Sequence, residues 1–212
     1  LIKAPLEEIT EREQLTSSGQ SNINTALRNV NALLRLTTNL INFERADTYS
    51  GSLYVSEYEL STYMEETIDA FRSYANIKHI NLTYESSFRY LNVWLDKDKM
   101  DSILKNIISN ALKYTPDGGN VHVFTSETED TWSIEVKDTG IGIPASEQKK
   151  LFKMHFRGSN AINSKVTGSG IGLLLVGKLV HLHKGKLNFS SMEGKGSCIK
   201  ITFPKGNNHF RK

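Results

Sequence analysis

Residues Thr131 to Pro144 read TWSIEVKDTGIGIP, an alternating apolar run that ends in an aspartate and passes at once into two glycines flanking an isoleucine. The alternation predicts a β-strand with one buried face. An ordinary turn needs at most one glycine in the left-handed region and has no use for a carboxylate at the end of a strand. The residues leave two readings open. Either Asp138 is a solvated strand end, or it is an acceptor-only group at the floor of a pocket. In the second reading it accepts from the amine of adenine and repels the carbonyl of guanine. Gly140 and Gly142 then clear space where the backbone curves beneath a base, and Ile143 lines the wall.

The rest of the 212 residues divides into two textures. Residues 1 to 46 hold no glycine but Gly19 and no strand pattern. Ile23, Leu27, Val30, Leu34, Thr37 and Ile41 keep an alternating spacing of four and three, a heptad seam. Leu33, Leu36 and Leu40 add a second stripe beside it, more apolar surface than one neighbouring helix covers. A helical hairpin or a dimeric four-helix bundle is expected. LIKAPLEEITERE forms the end of a first helix and TSSGQSN the connection; the alternative is a helical flank of the main domain.

From residue 47 the elements interleave. SLYVSEYEL reads as a short strand, and STYMEETIDAFRSYANIK as a helix capped by Ser61 or Thr62 with Glu65 and Glu66 in its first turn. HINLTYE and LNVWLD read as strands, followed by a helix from Lys97 to Tyr114. NVHVFTS and TWSIEVKD form a hairpin, a short helix lies near SEQKKLF, a helix follows GSGIG, and KLNFSS and SCIKITF close the chain. Strands and helices without regular βα alternation indicate an α+β fold, one mixed sheet covered on one face by helices in a two-layer sandwich.

Composition excludes several classes. The 26 Lys and Arg against 23 Asp and Glu give a net charge of +3, too small and scattered for nucleic-acid binding. The single cysteine, Cys198, rules out an intramolecular disulfide and reads as a buried structural thiol, consistent with a cytoplasmic setting. No run approaches the ~20 apolar residues of a membrane span, and the start lacks a signal peptide's pattern. Because the sequence opens without Met inside an amphipathic helix, a longer and membrane-anchored parent is expected.

Chemistry-bearing residues gather on the Lys97–Tyr114 helix. Asn106 and Asn110 are four apart and so share a face, with Lys113 and Tyr114 following. Met100, Ile103, Leu104, Ile107, Ile108 and Leu112 make the opposite, core-facing stripe. Asparagine competes locally for backbone hydrogen bonds, so two of them weaken a helix unless they have other work. An amide oxygen is a hard, neutral ligand suited to Mg²⁺, lysine neutralises phosphate, and a tyrosine face lies against a purine. A pair of surface asparagines is the alternative. GSGIGL, from Gly168 to Leu173, lets backbone N–H groups approach an anion at a helix start. It lacks the context of a dinucleotide fold and the Lys-Ser or Lys-Thr of a P-loop.

Taken together and in order, NIISNALKYT, DTGIGIP, LFKMHFRG, GSGIGLLLV and EGKGS resemble the N, G1, F, G2 and G3 motifs of hybrid-type sensor histidine kinases, members of the Bergerat (GHKL) ATP-binding superfamily. The resemblance covers about residues 50 to 204. It implies that Asn110 coordinates Mg²⁺ with Asn106 beside the phosphates, that Lys113 contacts phosphate, and that Tyr114 contacts adenine. Asp138 would bind the adenine amine in a pocket shaped by Gly140, Gly142 and Ile143. Gly168, Gly170 and Gly172, with Leu173, would hold the triphosphate at the end of a lid from about Arg157 to Thr167, Arg157 contacting phosphate. The F motif departs from the family pattern, with Met154 for an arginine and His155 for an aromatic, which bears on how the lid docks.

The same resemblance assigns residues 1–46 to the dimerisation helices and 47–212 to the ATP-binding catalytic domain. It implies a homodimer, ATP and Mg²⁺ as cofactors, and a response-regulator receiver domain as partner. The parent enzyme would move the γ-phosphoryl of ATP to a histidine and then to a receiver aspartate. The acceptor histidine is expected about two helical turns before LIKAPLEE, ahead of residue 1, and none of the six histidines replaces it: His79 and His122 read as strand residues, and His181 and His183 point to different helix faces. These residues are therefore expected to bind ATP without phosphorylating themselves, and none is assigned a catalytic role. Two other activities remain: a noncatalytic dimerisation or signalling module, for which Met154 and His155 speak, and an ATP hydrolase of the gyrase or mismatch-repair type. The latter needs a carboxylate on the asparagine helix, and Asp101 is off the face of Asn106.

Overall fold

The computed structural model describes residues 2–12, 15–48, 53–151 and 170–210. The chain forms two compact units, Leu1–Thr48 and Tyr49–Lys212.

In the first unit α1 (Lys3–Arg12) packs against α2 (Ser17–Thr48). Pro5 sits in the first turn of α1, where its missing N–H costs nothing. α2 starts earlier than the sequence suggests, inside TSSGQSN. The Thr16 hydroxyl accepts from the Gly19 amide at 3.1 Å and the Thr16 carbonyl from the Gln20 amide at 2.9 Å, so a threonine cap offsets the cost of a helical glycine. Ile23, Leu27 and Val30 are partly covered, whereas Leu33 is 62% exposed.

In the second unit β1 (Ser56–Glu59) leads into α3 (Leu60–Ile77), followed by β2 (Asn81–Ser86), β3 (Asn92–Leu95), α4 (Lys97–Tyr114), β4 (Asn120–Glu127) and β5 (Thr131–Asp138). After α5 (Ala145–Gln148) come α6 (Gly172–Leu182), β6 (Lys186–Met192), β7 (Gly196–Pro204) and a 3₁₀ turn at Asn208–Phe210. The main sheet runs β2-β4-β5-β7-β6, with β2 parallel to β4 and every other pair antiparallel. The α+β two-layer sandwich is therefore present. β1 and β3 do not join this sheet; they pair with each other as a separate antiparallel ribbon.

Period-two alternation sends Val121, Val123, Trp132, Ile134, Val136, Ile199, Ile201 and Phe203 to one face, where they meet Ile68, Ile103, Leu104, Ile107, Ile108, Leu112 and Leu175 from the helices. Each such side chain fully removed from water contributes about 1.5–3 kcal/mol. Trp132 and Phe203 pack at 4.6 Å between ring centroids. The other face is mostly polar, with Phe124 stacked on His122 among its residues.

Several local details depart from the sequence reading. The cap of α3 is Glu59, whose carboxylate accepts from the amides of Ser61 at 3.1 Å and Thr62 at 2.7 Å. Ser61 and Thr62 are thus helical residues, and Glu65 and Glu66 fall beyond the first turn. His79 lies in the turn after α3 with φ of 53°, not in a strand. Cys198 is half-buried on the outer face of the sheet, so it is not a core thiol. His183 is the C-cap of α6 and buried.

Candidate functional site

α4 is the element around which the candidate site is built. Its N-cap, Asp96, is 3% exposed and accepts from the Lys99 amide at 3.2 Å, Lys99 Nζ at 2.6 Å and the Tyr54 amide at 2.9 Å. Burial alone raises this carboxyl's pKa; the hydrogen bonds from Lys99 and Tyr54 outweigh it and hold the pKa below the usual carboxylate value. The Asp96 amide in turn donates to His183 Nε2 at 3.3 Å, which ties the start of α4 to the end of α6.

The spacing of four places Asn106 and Asn110 on one half-buried face. Asn106 Nδ2 donates to the Ser102 carbonyl at 2.8 Å, while its Oδ1 abuts the first residue of α6: a Cβ on Gly172 would lie 2.5 Å from it. The Asn110 carboxamide makes no hydrogen bond among the described residues. Lys113 Nζ lies 4.9 Å from the Tyr114 ring centroid, so these two side chains form one cationic-aromatic unit.

At the C-terminal end of α4 the backbone itself meets the glycine loop. The Tyr114 carbonyl accepts from the Ile141 amide at 3.1 Å, and a Cβ on Gly140 would stand 2.6 Å from the same oxygen. Gly142 has φ of 62° and a Cβ there would fall 2.0 Å from the Met192 carbonyl oxygen. Both glycines thus admit neighbouring backbone, a reason for them beyond the clearing of space beneath a base. The loop is braced further by Ile143 N donating to Ser191 Oγ at 2.9 Å and by Gln148 Nε2 donating to the carbonyls of Ile143 at 3.0 Å and Ser191 at 2.9 Å.

Asp138 ends β5 between these contacts. Its Oδ1 accepts from the Gly140 amide at 2.8 Å and from the Ser197 amide at 3.2 Å, which leaves Oδ2 to accept from something else. Burial pushes the carboxyl's pKa above its ordinary value, against the lowering effect of those two amides. A carboxylate kept in a desolvated place without a cationic partner is an expected mark of a binding group.

Gly170 has φ of 72°, and α6 begins at Gly172 without a side-chain cap. Leu173 packs against the core cluster. Arg157, Gly168, Met154, His155 and the expected lid from Arg157 to Thr167 lie outside the described residues. The structure therefore brings Asn106 to Gly172 and Tyr114 to Gly140 and Ile141, with α4 as the shared wall. Among the described residues no group of three His, Cys, Asp or Glu side chains converges as a metal cage. Asp101 is committed elsewhere, accepting from the Tyr63 hydroxyl at 2.6 Å and lying 3.7 Å from Lys97 Nζ. Sequence reasoning missed Ser197, Ser191 and Gln148. The first acts through a backbone amide, which leaves no mark in the side-chain pattern; the EGKGS turn was the nearest signal.

The family described as Histidine kinase-, DNA gyrase B-, and HSP90-like ATPase matches residues 95–207. Sensor histidine kinase WalK of Bacillus subtilis (strain 168) is 34% identical over 174 residues, 81% of this chain and 28% of that protein. The chain thus spans under a third of that relative's length. Among solved structures, full-length ShkA in complex with AMPPNP superposes with a TM-score of 0.80 at 20% identity, covering 96% of this chain and 44% of that one. Histidine kinase ThkA in complex with response regulator protein TrrA gives 0.70 at 19% identity, covering 96% and 56%. These two likenesses establish a shared fold.

Proposed function

We propose, from the premise that this chain belongs to the Histidine kinase-, DNA gyrase B-, and HSP90-like ATPase family, that its second unit is the ATP-binding catalytic region of a sensor histidine kinase in two-component signalling. The observation that carries this reading is Asp138, half-buried, with no cationic partner among the described residues and gripped through one oxygen by two backbone amides. Its second oxygen is an acceptor for the exocyclic amine of adenine, where guanine would present a carbonyl.

Each neighbouring group then has a task. The Lys113–Tyr114 unit offers a cation to phosphate and a ring to the base. The start of α6 offers backbone N–H groups and the favourable end of a helix dipole to anionic oxygens. Asn110 fits Mg²⁺: its carboxamide is half-buried and has no protein partner among the described residues, and a single protein oxygen suits an ion that keeps waters and phosphate oxygens as its other ligands. When bound, Mg²⁺ supplies charge neutralisation to the phosphates.

In the reaction proposed for the whole protein, a histidine nitrogen attacks the γ-phosphorus, the bond to the ADP oxygen breaks, and the phosphoryl group passes on to a receiver aspartate. The protein's part is positioning and charge stabilisation. The relatives' names and the ThkA–TrrA complex support a response-regulator partner. The exposed apolar surface of α2 supports dimerisation through residues 1–46 as the remnant of the phospho-acceptor helices. No helix among the described residues is long and apolar enough to cross a membrane; a cytoplasmic location, within a membrane-anchored parent, belongs to the same proposal. Asp101, held by Tyr63 and Lys97, is not available to activate water, which disfavours the hydrolase reading.

Calorimetric titration with ATP and GTP in the presence of Mg²⁺ tests this function. Saturable heat with ATP and none with GTP is expected; no heat with either nucleotide sinks it.

A further inference from the structure

The last turn of α4 can be accounted for carbonyl by carbonyl. A helix leaves four C=O groups without intrahelical partners at its C-terminus, and each needs another donor. The Ala111 carbonyl takes the Thr115 amide at 3.1 Å and the Thr115 hydroxyl at 2.7 Å. The Tyr114 carbonyl takes the Ile141 amide at 3.1 Å. The remaining two, together with the carbonyl of the C-cap Thr115, converge on one side chain from a different element: Lys78 Nζ donates to Leu112 O at 2.9 Å, Lys113 O at 3.4 Å and Thr115 O at 2.6 Å. The Gly118 amide donates back to the Lys78 carbonyl at 3.3 Å, so the residue clasps the turn from both sides.

We propose that Lys78, in the turn between α3 and β2, is a positioning residue for the nucleotide site, setting the distance between the asparagine face of α4 and the Asp138 carboxylate. The inference rests on the nucleotide-binding reading of that site. An ammonium with three donors fills three acceptors on one curved stretch of backbone, and its charge opposes the negative end of the α4 dipole. With Leu112, Lys113 and Thr115 satisfied by Lys78, the intervening Tyr114 carbonyl is left directed at Ile141. Gly140 then packs against Tyr114 O, and Asp138 Oδ1 is held by the Gly140 amide. Without the ammonium, three buried-side carbonyls seek other donors, the α4 terminus frays, and the Tyr114–Ile141 link loses its fixed geometry. All three Lys78 Nζ bonds go to backbone carbonyls. Its effect passes entirely through backbone.

The test uses the full chain with Lys78→Met, Lys78→Arg and, as a stability control remote from α4, Leu187→Ala. Three readings are taken: thermal midpoint, Mg-ATP affinity by calorimetry below every midpoint, and hydrogen exchange of the Ile141 amide. K78M is expected to weaken Mg-ATP about tenfold and to speed Ile141 exchange, as loss of charge-assisted hydrogen bonds implies. K78R is expected to restore most of both, and L187A to lower the midpoint with affinity and Ile141 exchange unchanged. Lys78→Gln replaces K78M if that variant does not fold. Wild-type affinity and Ile141 protection in K78M, or an equal affinity loss in L187A at a matched midpoint, overturns the proposal. If wild type binds no Mg-ATP, the nucleotide reading fails, and unchanged Ile141 exchange in K78M still decides separately against the clasp.

Discussion

The Tyr114 carbonyl and the Ile141 amide, 3.1 Å apart, join the end of the asparagine-bearing helix to the loop that follows Asp138. The contact is only possible because residue 140 has no side chain, since a Cβ there would lie 2.6 Å from the Tyr114 oxygen. Gly140→Ala is therefore expected to separate the two segments, lowering stability by about 1–3 kcal/mol and Mg-ATP affinity with it. Gly142→Ala meets both a backbone oxygen at 2.0 Å and a φ of 62°, so its stability loss is expected to be the larger. Urea unfolding of the two variants, with calorimetry on the folded fraction, checks the order.

Asp138 separates function from stability. Its folded pKa is raised by burial, so relative to the unfolded chain the protonated form is favoured in the fold. The linked stability is present below the unfolded value of 3.8 and lost as pH rises through the folded pKa, which means the ionised group costs stability at neutral pH. Asp138→Asn keeps an oxygen for the Gly140 and Ser197 amides and removes that cost. Its melting temperature is expected to equal or exceed wild type near pH 7, while Mg-ATP binding is lost. A variant that melts lower and still binds would contradict this.

Asn110 and Asn106 are expected to differ. Asn110→Ala removes a carboxamide that bonds to nothing among the described residues, so stability is expected to stay within about 0.5 kcal/mol of wild type and Mg-ATP affinity to drop. Asn106→Ala also loses the bond to Ser102 O and the packing against Gly172, so both readings are expected to fall. Thermal melts beside calorimetry in Mg²⁺ and in EDTA separate the two cases.

His183 gives the protein an acid-sensitive joint. Its Nδ1 lies 2.8 Å from the Leu179 carbonyl, which only accepts, and its Nε2 takes the Asp96 amide, so the ring is neutral with the proton on Nδ1. Burial depresses its pKa below 6.5, with the Leu179 bond and the Asp96 charge opposing and Lys99 and His209 adding to the depression. The stability this represents is complete above the unfolded value of 6.5 and is lost as pH falls toward the folded pKa. Midpoints measured between about pH 7.5 and 5.5 are expected to decline, and His183→Gln to flatten the decline. His209→Gln is run alongside, because burial and Lys184 depress that histidine too.

Residues 1–48 contain no histidine. Incubation of this chain with radiolabelled ATP is expected to leave no acid-labile phosphate on it, and detection of such phosphate would overturn that expectation.

The sandwich was legible because its cause is periodic. Alternation in WSIEVK and the 3.6-residue stripe from Met100 to Leu112 report burial directly, and both elements lie where the pattern puts them. The glycine positions stood out for a reason only the structure supplies: Gly142 faces the Met192 carbonyl of a strand fifty residues on. Caps were misread at α3 because Glu59 is as good an acceptor as Ser61 or Thr62, and tertiary packing chose among them. Lys78 was invisible because it serves carbonyls of a distant helix and leaves no trace in composition or spacing, and Ser197 was marked only through the EGKGS turn that contains it, because it offers only its amide.

Ser197 stands fifteen residues before the end of the 212 and supplies one of the two donors that grip Asp138. A ribosome delivers that donor near the close of this stretch, long after the asparagine helix and the glycine loop have left the exit tunnel. A nascent chain halted before β7 therefore presents the cleft with its carboxylate half-tethered, so nucleotide meets a finished receptor only once translation has supplied the strand that fills the gap between β5 and β6.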